Sequence, residues 1–202
     1  MATATKMVYQ LREGSAQMVN LLGGKGAHVS EMARIGIPVP SGFVITTEAC
    51  NAFYKLGRRF PEGLWEAVVE QIHVLERETG RIFGGAKDPL IVSVRSGSPA
   101  SMPGMMDTIL NMGVVDTTVE GLSQLMKQKR PALDAYRRFI QGFGSVVLGI
   151  EKDLFEAQLG QKKKDKGLEY DHQLTPEDLS QLVETFKNIV KEHTGMALVQ
   201  DP

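Results

Sequence analysis

Apolar positions fall into two regimes along the chain. Up to about residue 115, short extended runs alternate with helical spacing; from about Asp116 onward the extended runs vanish. "KMVYQL" and "GFVIT" read as strands, the second following an extended segment forced by Pro38 and Pro40. "GKGAHVSEMARIG" predicts a short helix from Gly24 to Ile35, with Val29, Met32 and Ala33 on one face and Gly36 as its stop. Thr46 or Thr47 caps a helix over "EACNAFYKL", and Leu64, Val68, Ile72 and Leu75 mark an amphipathic helix packed on a sheet and ending at Gly80. "LIVSVRSG" is a further strand, and its near-continuous apolar start predicts a central, buried position.

The second half predicts helices over "TTVEGLSQLMKQK" and over "PALDAYRRFIQGFGSVVLG", with Pro131 in a first turn. "EKDLFEAQLGQKKKDKG" decays into a basic loop in which Lys162 to Lys164 are solvated. The sharpest pattern is "TPEDLSQLVETFKNIVKEHTG". Thr175 is its N-cap, Pro176 its first helical residue, Asp178 its reciprocal cap and Gly195 its stop, with Leu179, Leu182, Val183, Phe186 and Val190 as one stripe. The closing "MALVQDP" reads as an extended tail packed against nothing. An α/β part over 1–115 is thus expected to precede an all-helical part over 116–202, an α+β chain with a small mixed sheet.

Composition narrows the chemistry. With 202 residues, 42% of them hydrophobic, and a net charge of -1, the chain can bury a core but offers no overall charge for nucleic acid or an anionic membrane. Its one cysteine, Cys50, excludes an internal disulfide, suits a cytoplasmic location and is expected to be buried packing. No apolar run is long enough to cross a bilayer. The histidines His28, His73, His172 and His193 lack metal-ligand spacing, and no metal site is assigned.

Two segments carry candidate chemistry. "LLGGKGAHVSEM" sets Gly24, Lys25 and Gly26 at a helix start, where unpaired N–H groups and the dipole favour an anion. It is neither a Walker loop, since Val19 and Gly26 stand at required positions, nor a dinucleotide fingerprint, since Val29 replaces a glycine. A glycine-rich turn with an exposed lysine is the plain structural alternative. In "VSVRSGSPASMPGMMDTILNMG", Arg95 leaves a strand into a run where Gly97 and Gly104 free the backbone and Ser96, Ser98 and Ser101 offer hydroxyls. Such a run can close over phosphate oxygens; it can equally be a surface hairpin whose arginine pairs with a carboxylate. Met102, Met105 and Met106 fit either core filling or a ligand cover.

Together, "LLGGKGAHVSEMARIGIPVPSGFVITTEAC" and "VSVRSGSPASMPGMMDTILNMG" resemble the N-terminal nucleotide-binding domain of the pyruvate, phosphate dikinase family, from about Val8 to the last residue. Phosphoenolpyruvate synthases and glucan water dikinases resemble the first motif and the Ser-Val-Arg-Ser strand, whereas "SMPGMMDT" has the dikinase form. The resemblance implies an ATP-grasp-like domain that binds Mg-ATP and hands the β-phosphoryl group to a histidine on a separate swivelling domain, which carries it to pyruvate. ATP, phosphate and pyruvate would become AMP, pyrophosphate and phosphoenolpyruvate. Lys25 matches the lysine on the ATP phosphates, Arg95 the arginine that stabilises the transferring phosphoryl group, and Gly104 the flexible loop above the triphosphate. Gly24, Gly26, Ser96 and Ser101 are the accompanying nucleotide-binding candidates.

The resemblance also implies that the acidic Mg2+ ligands, the phosphohistidine domain and the pyruvate domain lie outside these residues. The isolated chain is therefore expected to bind ATP weakly, to lack turnover, and to be a monomer or a non-native association, although the full-length relatives are homodimers. A phosphoenolpyruvate synthase fragment and a non-catalytic nucleotide-binding or regulatory module are the alternatives.

Overall fold

A computed structural model of the protein describes residues 6–97 and 107–201. It is a mixed α+β chain whose described residues divide into two compact units. Among them, residues 6–80 with 96–97 form one unit and 81–95 with 107–201 the other. The strands of residues 81–95 and 108–112 fall in the same unit as the helices that follow them, a division other than the one near residue 115 that the sequence alone suggests.

In the first unit, β1 (Val8–Gln10) pairs antiparallel with β2 (Phe43–Ile45), Tyr9 lying opposite Val44. Two 3-10 turns, Leu11–Glu13 and Ala16–Met18, lead from β1 into α1 (Val19–Arg34). The backbone then runs through α2 (Thr47–Lys55) and α3 (Leu64–Thr79), which ends at Gly80 as its sequence predicts. Thr46 is the residue that caps α2, accepting a hydrogen bond from the Ala49 amide at 3.1 Å. A small core of Val8, Ala49 and Leu64, flanked by Phe43 and Val68, holds α3 on the sheet. In α1 the packed positions are Ala27 and Ser30, while Met32 is exposed, so the face expected from Val29, Met32 and Ala33 is rotated. Cys50 is exposed, not buried, because its helix turns Ala49 inward and Cys50 outward.

The second unit opens with a two-residue parallel pairing of β3 (Ile82–Phe83) and β4 (Pro89–Leu90). β5 (Val92–Arg95) then pairs antiparallel with β6 (Thr108–Met112). The predicted central, buried place for β5 is corrected here. Burial stops near Leu90, and Ser93, Val94 and Arg95 are exposed, since among the described residues the strand has β6 as its one neighbour. A short apolar run reports burial at its own position and not how many strands flank it.

Helices α4 (Val119–Leu125), α5 (Lys129–Val146), α6 (Lys152–Asp165) and α7 (Pro176–Thr194) complete the unit. The predicted α7 is realised in every particular. Thr175 caps it, Asp178 bonds back to Thr175, and Leu179, Leu182, Val183, Phe186 and Val190 are buried before the Gly195 stop. The Phe155 and Phe186 rings meet edge to face at 5.0 Å in the middle of this core. Two further expectations are corrected. Helix α6 runs on through Lys162, Lys163 and Lys164, because Phe155 and Leu159 anchor it while Lys163 pairs with Asp171 at 2.8 Å and Lys162 donates to Gln181 at 2.7 Å. The closing tail is also packed. Leu198 is buried in the core, and Gln200 accepts from the Asp116 amide at 2.9 Å and donates to Tyr136 Oη at 3.2 Å.

Candidate functional site

The glycine-lysine stretch sits at a break in α1. Gly23 leaves the helical region at φ 70° and ψ 163°, a conformation open to glycine and costly for any residue with a Cβ. Val19–Leu22 is therefore an isolated helical turn, and the helix proper restarts with Gly24, Lys25 and Gly26 in its first turn. This agrees with the helix start expected at Gly24. The first amides of a helix have no carbonyl partner within it, so this turn offers N–H donors at the positive end of the helix dipole.

The surroundings approach this turn from three sides. A Cβ on Gly26 would come within 3.0 Å of Val44, so the absence of a side chain lets the restarted helix lie directly on β2. Thr47 Oγ1 donates to the Asn20 carbonyl at 2.5 Å, joining the start of α2 to the turn before the break. A Cβ on Gly97 would be 3.9 Å from the Leu22 carbonyl oxygen, so the chain just beyond Arg95 returns to the same glycine break. Further along, Glu31 ties α1 to the preceding turn by accepting from the Ala16 amide and Arg34 Nε, each at 3.0 Å. The bond from Arg34, with the Ala16 amide, holds the Glu31 carboxyl down at about 2.

Lys25 is exposed. Arg95, in the other unit, is exposed at the end of β5, opposite Thr108. Among the described residues no hydrogen bond or ion pair engages either side chain, so the carboxylate partner considered for Arg95 is not found there. The β5–β6 register shifts by one residue between the Val92 and Val94 pairings, and Asn111 lies in this irregularity at φ 61° with its amide donating to the Ala135 carbonyl at 3.1 Å. Such a bulge adds twist to the ribbon end that carries Arg95. Ser98, Ser101, Gly104, Met102, Met105 and Met106 lie outside the described residues.

Sequence reasoning missed two open clefts. In the first unit one is lined by Arg12, Val39, Ser41, Gln71, Val74 and Glu78. In the second, Arg137, Arg138, Gln141, Lys152, Glu156 and Asp171 line another, with charges of both signs. Neither is lined by Lys25 or Arg95, and their residues come from separate elements with no shared motif to announce them. Among the described residues no three His, Cys, Asp or Glu side chains cluster as a metal site, and no helix is long and apolar enough to cross a membrane.

Residues 19–59, which hold the glycine break and Lys25, match the family described as "Pyruvate phosphate dikinase, AMP/ATP-binding domain". The chain is 46% identical over 198 residues to a pyruvate, phosphate dikinase of Clostridium symbiosum, covering 98% of this chain and 23% of that protein. It is 44% identical over 195 residues to the pyruvate, phosphate dikinase of Entamoeba histolytica, covering 96% and 22% respectively. A chloroplastic pyruvate, phosphate dikinase of Mesembryanthemum crystallinum is 44% identical over 205 residues, covering 100% and 22%. The chain thus spans less than a quarter of the length of these relatives, and over nearly all of its own length it is similar to them.

Proposed function

We propose that this chain is the ATP-side portion of a phosphotransferase of the pyruvate, phosphate dikinase type, built on the beginning of an ATP-grasp-like fold. The observation that carries the reading is the restart of α1 at Gly24, where Lys25, exposed and without an ion-pair partner among the described residues, stands beside the first-turn amides within the segment that matches an AMP/ATP-binding family. Helix-start amides and a lysine point charge complement the phosphates of a nucleotide. In this reading Gly24, Lys25 and Gly26 hold the ATP phosphates, Arg95 stabilises the transferring β-phosphoryl group, Gly104 belongs to the loop above the triphosphate, and Ser96 and Ser101 are further nucleotide-binding residues. That group passes to a histidine on another domain and from there to pyruvate, while inorganic phosphate takes up the γ-phosphoryl group, so that ATP, phosphate and pyruvate give AMP, pyrophosphate and phosphoenolpyruvate overall.

The described residues do not fit a Mg2+ cage, because their carboxylates are spread over separate ion pairs rather than gathered on one face. No step is therefore assigned to a metal held by this chain; the Mg2+ that accompanies ATP is expected to find its protein ligands elsewhere. The partners in this reading are ATP and the further domains of such an enzyme, with the isolated chain a monomer or a non-native association. Its location is cytoplasmic, consistent with a single free cysteine.

Calorimetry on the 202-residue chain tests the assignment of Lys25. Weak ATP binding is expected, with an affinity near the millimolar range, and Lys25→Ala is expected to abolish it. Binding indifferent to Lys25→Ala would remove Lys25 from the phosphate site, and tight, saturable binding abolished by that substitution would contradict the expected weak affinity.

A further inference from the structure

Thr47 reaches from the first turn of α2 to a carbonyl 27 positions earlier in the chain. Its hydroxyl donates to Asn20 O at 2.5 Å. Asn20 belongs to the isolated turn Val19–Leu22, and Gly23 departs from helical geometry directly after that turn. The anchor on the other side is rigid. Thr46, almost fully buried, caps α2 through the Ala49 amide at 3.1 Å and donates its own amide to the Met7 carbonyl at 2.9 Å, so the start of α2 is fixed to both the β1–β2 sheet and its own helix. The restarted helix meets the same sheet where Gly26 abuts Val44. The glycine break is thus held on its far side by Gly26 and on its near side by buried Leu22, which packs against Gly14, and by the Thr47 hydroxyl on the Asn20 carbonyl.

From this arrangement we infer that Thr47 is a positioning residue for the phosphate-binding turn. Its hydroxyl fixes the Asn20 carbonyl, the fixed turn sets where the chain breaks at Gly23, and the break sets the direction of the Gly24, Lys25 and Gly26 amides. Glycines make that break possible but do not select it, since each can take many other backbone conformations. A hydrogen bond from a neighbouring element supplies the selection. Thr47 touches no ligand in this role; it acts through the backbone of residues 20–26. The inference rests on the nucleotide reading of that turn, and its test separates the two.

The test is an amide-resolved NMR titration of the 202-residue chain with ATP, run on the wild type, Thr47→Val and Thr47→Ser. Valine keeps the shape and removes the hydroxyl; serine keeps the hydroxyl. The expected result is that Thr47→Val shifts the Gly23–Gly26 amides before any ATP is added and weakens ATP binding about fivefold, the effect of one ordinary hydrogen bond. Thr47→Ser is expected to restore both, and thermal midpoints are expected to stay close together. If the wild type responds to ATP at Gly24–Gly26 and Thr47→Val responds identically, Thr47 has no positioning role and the nucleotide reading stands. A loss of binding in Thr47→Val that Thr47→Ser does not restore also overturns the inference, because it traces to bulk or fold rather than to the hydroxyl. No response of the wild type at Gly24–Gly26 overturns the nucleotide reading and this inference with it.

Discussion

Arg95→Ala is expected to lower phosphoryl transfer by about a thousandfold or more when the chain is joined to the domains that carry the phosphohistidine and pyruvate sites. The direction follows from the charge that develops on a transferring phosphoryl group. An arginine offers a planar fork of donors at a fixed place and stays charged, which makes it suited to a site where charge appears only in transit. Arg95 stands at the end of a strand, exposed and without an ion-pair partner among the described residues, so its charge is not already committed. The same exposure separates catalysis from folding. Truncating an exposed, unpaired side chain changes stability by about 0.5 kcal/mol or less, so the variant is expected to unfold at the wild-type urea midpoint while losing transfer. Arg95→Lys keeps the charge without the fork and should fall between the two. Wild-type turnover in Arg95→Ala would remove the residue from the reaction.

The second large effect concerns stability. Arg137 is buried in α5, its side chain 3% exposed, and its Nε and Nη2 donate to Asp134 Oδ1 at 3.0 and 2.7 Å. Its Nη1 donates to Gln141 at 3.3 Å, and Nη2 stands 3.6 Å from Asp171. Arg137→Ala leaves Asp134 nearly buried with only the exposed Arg138 as counter-charge, at 3.1 Å. Removing one member of a buried pair costs about 3–5 kcal/mol, and urea denaturation should show a loss of that size. The double variant Arg137→Met, Asp134→Leu should recover much of it, because no stranded charge remains. A loss below about 1 kcal/mol in the single variant would show that water reaches the pair.

The same unit should weaken on acidification. Burial alone would push the Asp171 carboxyl up, but Lys163, Arg137 and Arg138 outweigh it and hold it below the usual carboxylate range. Burial likewise opposes ionisation of Asp178, and the Thr175 amide and hydroxyl with Lys166 outweigh it. A carboxyl depressed in the folded state contributes stability that is present above its unfolded value, near pH 4, and lost as pH falls through the folded value.

What the sequence revealed depended on whether the signal was local. The α7 pattern carries its own cap, stripe and stop within twenty-odd residues, and the structure follows it position by position. The glycine-rich start of a helix at Gly24 was legible for the same reason. Longer-range matters were not. The apolar start of β5 does not state that, among the described residues, its neighbour is β6 alone, and Lys162 to Lys164 look solvated until Gln181 and Asp171 are brought beside them by the fold. Leu198, a single apolar residue in a short tail, has no periodicity to reveal its place in the core. At the site, residue types pointed to Lys25 and Arg95, but the hydroxyl of Thr47 was read only as a possible helix cap, since its partner is 27 positions away.

The most direct test of the nucleotide assignment is the response of the backbone amides of the unmodified chain to ATP, with adenosine as the comparison. The account predicts that millimolar ATP shifts Gly24, Lys25, Gly26 and Gly97, that adenosine leaves them in place, and that Lys25→Ala suppresses the response. Unmoved amides at those positions, or shifts confined to the cleft lined by Arg137 and Arg138, would contradict it.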